Sequence, residues 1–221
     1  MKVVLLHAFP LDERMWDPQL EVLSEHETFA PRLYGLGSSI DEWAQAVLDS
    51  IPGTLVAVGA SMGGYCALAM ARRAPDRVRR LLLAGSRAGA DSRQRRAERD
   101  AVIEALRRHG VEGWYAGSGS PAPREVVLRQ SPDDLANAME VLRDRPGASG
   151  VVATFGGPFL LAVGSRDELL SVDEATRIVE LAPDGRLEVF KGAGHLVSLE
   201  QPEPFNRVLL EFLADGDLGF R

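Results

Sequence analysis

Five short apolar runs punctuate the chain: Val3–His7, Leu55–Val58, Arg80–Ala84, Phe159–Val163 and the shorter, partly polar Leu187–Phe190. They are continuous rather than alternating, as expected of parallel strands buried on both faces. Thr28–Ala30 adds a weak strand near an edge. Helical spacing fills the intervals. Asp41–Ser50 places Trp43, Ala46, Val47 and Ser50 along one helix. Met62–Ala74 is rich in Ala and Met and stops before Pro75. Val172–Leu181 lies between Ser171, an N-cap, and Pro183, while Pro204–Leu213 follows Pro202. This alternation predicts an α/β fold, a mostly parallel open sheet of about six strands flanked by helices.

One stretch breaks the rhythm. From about residue 87 to 150 the pattern is helical, with no convincing strand. Ser92–His109 reads as a helix capped at its C-terminus by Gly110. Pro132–Arg143 reads as another, with Ser131 as N-cap and Pro146 beyond its end. Gly117-Ser118-Gly119-Ser120-Pro121 forms a turn-rich link between them. A helical block between two core strands predicts a core at 1–86 and 151–221 with a short helical lid at 87–150.

Composition narrows the function. The chain has 221 residues, 45% apolar and 26% charged, with a formal net charge of −7. The densest basic cluster, Arg93, Arg95, Arg96 and Arg99, is interleaved with Asp91, Glu98 and Asp100. It reads as a solvated helix face, so no nucleic-acid partner is expected. A single cysteine, Cys66, excludes an intrachain disulfide and sits among small apolar helix residues as a buried hydrophobe. No secretory leader follows Val3–Leu6, and no apolar run approaches the ~20 residues of a membrane span. A cytoplasmic protein with no membrane contact is the expectation. There is no metal-ligand cluster or nucleotide loop, hence no expected metal or cofactor.

The chemistry concentrates at strand ends. Gly59-Ala60-Ser61-Met62-Gly63 follows a strand run and opens a helix, the context that gives G-x-S-x-G its meaning. A sharp strand-to-helix reversal forces the central Ser into a strained conformation and leaves no room for side chains two positions either side. It also lifts the hydroxyl to a helix N-terminus, where developing negative charge is favoured. Such a hydroxyl needs a base. Of four histidines, His195 follows the last strand run within Gly192-Ala193-Gly194-His195. His26 and His109 lie in charged helical surroundings, and His7 is expected to hold its loop by hydrogen bonding. Asp167, in Gly164-Ser165-Arg166-Asp167, follows another strand and can orient the imidazole, with Glu168 as the adjacent rival. The order Ser61, Asp167, His195 is the one this architecture uses. For the oxyanion, the candidate donors are the backbone N–H groups of Met62 and of Phe9, in the loop His7-Ala8-Phe9-Pro10.

These residues resemble the α/β-hydrolase superfamily. The likeness runs through His7-Ala8-Phe9-Pro10-Leu11-Asp12, Gly59-Ala60-Ser61-Met62-Gly63-Gly64, Gly164-Ser165-Arg166-Asp167 and Gly194-His195 with Glu200 and Pro202 behind it. Within the superfamily the chain is most similar to small carboxylesterases and 3-oxoadipate enol-lactonases, whose oxyanion loop often reads H-G-F-P-L-D. Ala8 stands where the family usually has Gly. The chain also begins at the strand carrying this loop, so a smaller sheet is expected. The resemblance implies a serine hydrolase that cleaves a small carboxylic ester or lactone through an acyl-enzyme. Trp114, Tyr115 and Met139 are candidates for an apolar pocket wall beneath the lid. The same triad would serve a cofactor-free haloperoxidase or perhydrolase, or a slow-turnover ligand-binding receptor of this fold.

Overall fold

The computed structural model describes residues 1–214. Six strands form one sheet: β1 (Lys2–Leu6), β2 (Thr28–Phe29), β3 (Leu55–Ala60), β4 (Val78–Ala84), β5 (Phe159–Gly164) and β6 (Gly185–Phe190). Their order is β2-β1-β3-β4-β5-β6, and every adjacent pair is parallel. The sheet is thus wholly parallel, as the continuous apolar runs require. Every residue of β3 and β5 is buried, whereas β6 at one edge keeps Gly185, Arg186 and Val189 exposed. Hence the polar interruptions of its sequence.

A short 3₁₀ turn (Glu13–Trp16) leads into α1 (Asp17–Val22), and neither was anticipated. Then come α2 (Ile40–Ser50), α3 (Met62–Arg73), α4 (Arg93–Ser118), α5 (Arg124–Val127), α6 (Pro132–Asp144), α7 (Ser149–Thr154), α8 (Val172–Val179), α9 (Val197–Glu200) and α10 (Pro202–Ala214). Side-chain caps set several starts: the hydroxyls of Ser39, Ser92, Ser131 and Ser171 each accept a backbone N–H of the first turn. Cys66 is fully buried on α3, and burial pushes its thiol up. No helix among the described residues is long and apolar enough to cross a membrane.

The helical stretch between β4 and β5 differs from expectation in detail. Gly110 does not end its helix. It takes φ 67° and ψ −176°, interrupting the helical path, and α4 resumes to Ser118. The turn-rich link is correspondingly shorter, because Gly117 and Ser118 are helical and Gly119, at φ 62°, supplies the left-handed cap. The boundary read between 150 and 151 falls inside α7. α4 packs on α6 through buried Ile103, Leu106, Leu135 and Leu142, with Arg96–Asp144 (2.7 Å) and Arg107–Glu140 (2.9 Å) pairs outside. α10 starts at Pro202, two residues before its predicted start, and α8 stops at Val179 in a turn. Of the predicted 151–221 core segment, residues 215–221 lie outside the described residues.

The topology positions a site. From β1 the chain steps outward to β2, then crosses to β3 on the other side. Ligands of open parallel sheets bind beyond the carboxyl ends of strands at such a reversal. The segments after β1 and β3 meet there. Because packing in this sheet is dense, Leu82→Ala, fully buried in β4, is expected to cost about 2–5 kcal/mol in urea denaturation. Leu210→Ala on the 37% exposed position of α10 should stay within about 0.5 kcal/mol.

Candidate active site

Ser61 occupies the single residue between β3 and α3. Its φ of 47° and ψ of −107° make it the one non-glycine with positive φ among the described residues. The reversal brings the backbones around it together. A Cβ on Gly59 would lie 2.5 Å from the backbone of Gly63 and Gly64. One on Gly63 would strike the carbonyl of Leu6 in β1, and one on Gly64 the side chain of Ser86. All three positions therefore require glycine. The Ser61 N–H donates to the Ala84 carbonyl (2.7 Å), and the Ser86 hydroxyl donates to the Ser61 carbonyl (3.0 Å). Although Ser61 is the N-cap of α3, its hydroxyl makes no capping bond. It faces His195 instead.

His195 Nε2 lies 2.9 Å from Ser61 Oγ. Its Nδ1 lies 2.9 Å and 3.0 Å from the two Asp167 carboxylate oxygens. The Asp167 side chain is fully buried, and its Oδ1 also accepts the N–H groups of Leu169 (2.8 Å) and Leu170 (3.0 Å). With Nδ1–H donated to this carboxylate, Nε2 is left to accept from the Ser61 hydroxyl. Ser61, Asp167 and His195 are thus brought together as the sequence suggested. Glu168 is on the cavity wall rather than against the imidazole.

Glu200 at the end of α9 and Gly85 after β4 shape the surroundings of the imidazole. Glu200 Oε2 accepts the Gly194 N–H (2.7 Å) and its Oε1 the Leu196 N–H (3.0 Å), bracketing His195. Gly85, at φ 62° after β4, leaves room for the ring, since a Cβ there would lie 3.0 Å from His195 Cε1. Sequence reasoning passed over Gly85 and Ser86. An isolated Gly-Ser after a strand carries no pattern of its own, and its partners lie more than twenty residues away.

The loop after β1 is fixed by buried polar groups. His7 is fully buried; its Nε2 accepts the Leu33 N–H (2.9 Å) and its Nδ1 donates to the Ala8 carbonyl (3.2 Å). This is the loop-holding role expected of it. Burial holds its pKa down at about 4. Asp12 is held down at about 2, burial being outweighed by hydrogen bonds from Arg14 and Gln130. The Ala8 N–H points at the Met15 sulfur (3.1 Å). The Phe9 N–H has no protein partner among the described residues. Met62 is the first residue of α3, so its N–H belongs to the free N-terminal set.

Phe9, Ser61 and His195 line one cavity of about 610 Å³, roofed by α4 and α6. Trp114 and Met139 are on its wall, as anticipated. Tyr115, offered as a third wall residue, is not; its hydroxyl donates to the Ala122 carbonyl (2.7 Å). The reading of the arginine cluster as wholly solvated needs correction too. Arg96 turns outward to Asp144, but Arg95 and Arg99 line the cavity. Arg95 donates to the Leu169 carbonyl (3.3 Å) and Arg99 pairs with the buried Asp91 side chain. A helical net shows that residues four apart share a face but not what that face meets. No group of three or more His, Cys, Asp or Glu that could hold a metal occurs among the described residues.

A fold and site of this kind define a class, and comparison with known proteins agrees. The chain belongs to the Alpha/beta hydrolase family, matching it over residues 3–208. It is 27% identical to the pimeloyl-[acyl-carrier protein] methyl ester esterase of Photobacterium profundum, over 96% of this chain and 94% of that one. A thermophilic esterase from Thermogutta terrifontis superposes with a TM-score of 0.90 at 29% identity, covering 97% of this chain and 90% of the other. The enol-lactonase of Burkholderia xenovorans LB400 shares the fold, with a TM-score of 0.82 at 20% identity, over 96% and 90% of the two chains.

The depressed His7 pKa has a sign that can be checked. Unfolded His7 takes up a proton near its ordinary pKa of 6.5, whereas the folded state resists until about pH 4. Its contribution is therefore complete above pH 6.5 and lost as pH falls towards 4, amounting to about 3 kcal/mol. His7→Gln, which retains an acceptor for Leu33 and a donor for Ala8, should flatten this part of the profile. Urea midpoints from pH 7 to 4 should drop less steeply in the variant.

Proposed function

We propose that the protein is a serine hydrolase that cleaves a small carboxylic ester or lactone through an acyl-enzyme. Carboxylic ester hydrolysis is its enzyme class. The observation that carries the reading is the unbroken chain of hydrogen bonds Ser61–His195–Asp167, with Ser61 Oγ 2.9 Å from the base and facing the cavity. Relatives named as esterases occur in both the sequence and the structural comparison, which supports the reaction type.

In this reading a substrate carbonyl enters between Ser61 and the roof formed by α4 and α6, which acts as a lid. His195 takes the Ser61 proton as the oxygen attacks the carbonyl carbon. Asp167 fixes the imidazole and stabilises the imidazolium. Negative charge moves to the carbonyl oxygen, where the N–H groups of Phe9 and Met62 are the donors, aided by the N-terminus of α3. His195 then protonates the leaving alcohol. Water, deprotonated by the same imidazole, attacks the acyl-enzyme and releases the acid. Trp114, Met139 and Leu142 offer the acyl group an apolar wall.

Ser61→Ala should abolish turnover of p-nitrophenyl acetate above the buffer rate. Asp167→Asn, which keeps the shape but fails to hold the imidazole tautomer, should lower kcat by about 10³–10⁴-fold. Near-wild-type activity in Ser61→Ala would overturn the assignment.

A further inference from the structure

The segment from Phe9 to Asp12 carries a proposed oxyanion donor at one end and a buried carboxylate at the other. Asp12 is 1% exposed. Part of its hydrogen bonding is local: Oδ1 accepts the backbone N–H of Arg14 (3.1 Å) and its Nε (2.9 Å), and Oδ2 accepts Arg14 Nη2 (2.5 Å). One more donor arrives from far along the chain. Gln130, in the turn between α5 and α6, donates from Nε2 to Asp12 Oδ2 at 2.6 Å.

The Gln130 amide is fully engaged. Nε2 also donates to the Val126 carbonyl (3.0 Å), and Oε1 accepts from Arg32 Nη2 (3.0 Å). The side chain is held from both ends, with the residue 5% exposed. It is absent from the cavity wall and touches no reacting group. A second grip on the same segment comes from Trp114, whose ring packs edge-on against Phe9 with centroids 5.5 Å apart. The helical insertion thus holds the oxyanion segment at both ends. The Leu11 N–H donates to the Ala8 carbonyl (2.9 Å), closing a turn across Phe9 and Pro10.

Oxyanion stabilisation depends on donors already aimed where charge will develop, and it weakens when a donor is displaced by a fraction of an ångström. We propose that Gln130 is a positioning residue: by anchoring Asp12 it holds the Phe9 N–H in place beside that of Met62. The insertion then sets the transition-state site as well as roofing the cavity. This rests on the reading of Phe9 and Met62 as oxyanion donors.

The test compares Gln130→Met, of similar size but without either polar group, with wild type. Active sites are titrated with a fluorophosphonate, so that misfolded protein is not counted. Turnover of p-nitrophenyl acetate and inhibition by phenylboronic acid, which forms a tetrahedral adduct at the serine, are then measured per titrated site. The expected result is a fall in kcat/KM of about tenfold and a matching rise in the boronate Ki, with KM within about twofold. Gln130→Asn keeps the amide but shortens its reach. It carries the test if the Met variant does not fold, with a matched loss of about threefold expected. Arg107→Ala, which breaks the surface pair between α4 and α6 away from Gln130, should leave both quantities unchanged.

A purely structural latch gives a different outcome: fewer titratable sites but unchanged kcat/KM and Ki per site. That result, or a fall in kcat/KM with an unchanged boronate Ki, would overturn the proposal. Failure of the wild-type protein both to turn over ester and to take the fluorophosphonate would overturn the hydrolase reading beneath it as well.

Discussion

The site depends on one constrained backbone position. Ser61 sits at φ 47° between a buried central strand and a buried helix. A non-glycine residue there costs on the order of 1–3 kcal/mol and persists only where its surroundings over-determine it. Here they do. β3 is hydrogen-bonded on both sides, by β1 and β4. The start of α3 packs so closely on β1 and on Ser86 that Gly63 and Gly64 have no space for a side chain. The Ala84 carbonyl and the Ser86 hydroxyl take up the polar groups of the strained residue. The hydroxyl consequently leaves the sheet at its carboxyl edge, at the head of a helix, without being spent on capping.

The parallel sheet supplies the rest by geometry. Because every strand runs the same way, the segments after β1, β3, β5 and β6 emerge at one edge. Phe9, Ser61, Asp167 and His195, spread over 187 positions of sequence, need only short loops to meet. Those loops are pinned by backbone-directed bonds: Glu200 on either side of His195, Leu169 and Leu170 N–H groups on Asp167, His7 on Leu33 and Ala8. Each bond fixes main chain, so the side chains that face the cavity are positioned from behind. The insertion joins this framework through Gln130 and Trp114 instead of resting on it from outside.

Much of this was legible in the sequence because it is local. Apolar runs marked the strands, and the Gly-Ser-Gly spacing, strand before and helix after, marked the elbow. His195 and Asp167 could be chosen because each follows its own strand run. What escaped was what depends on tertiary contact. Nothing near Gly85 reveals that His195 lies over it, and nothing near Gln130 reveals a carboxylate 118 positions away. The arginines of α4 looked alike, yet Arg96 meets Asp144 at the surface while Arg99 meets buried Asp91. Tyr115 neighbours Trp114 in sequence, but one residue turns a helix by roughly 100°, which takes its ring off the cavity wall.

The central claim is that Ser61 alone, among all hydroxyls of the chain, is made nucleophilic by its place in the fold. Intact-mass analysis after reaction with a fluorophosphonate, followed by peptide mapping of the adduct, tests it directly. The account predicts one adduct per chain, on Ser61, and none in Ser61→Ala. An adduct on any other residue, or none on the wild-type protein, would contradict it.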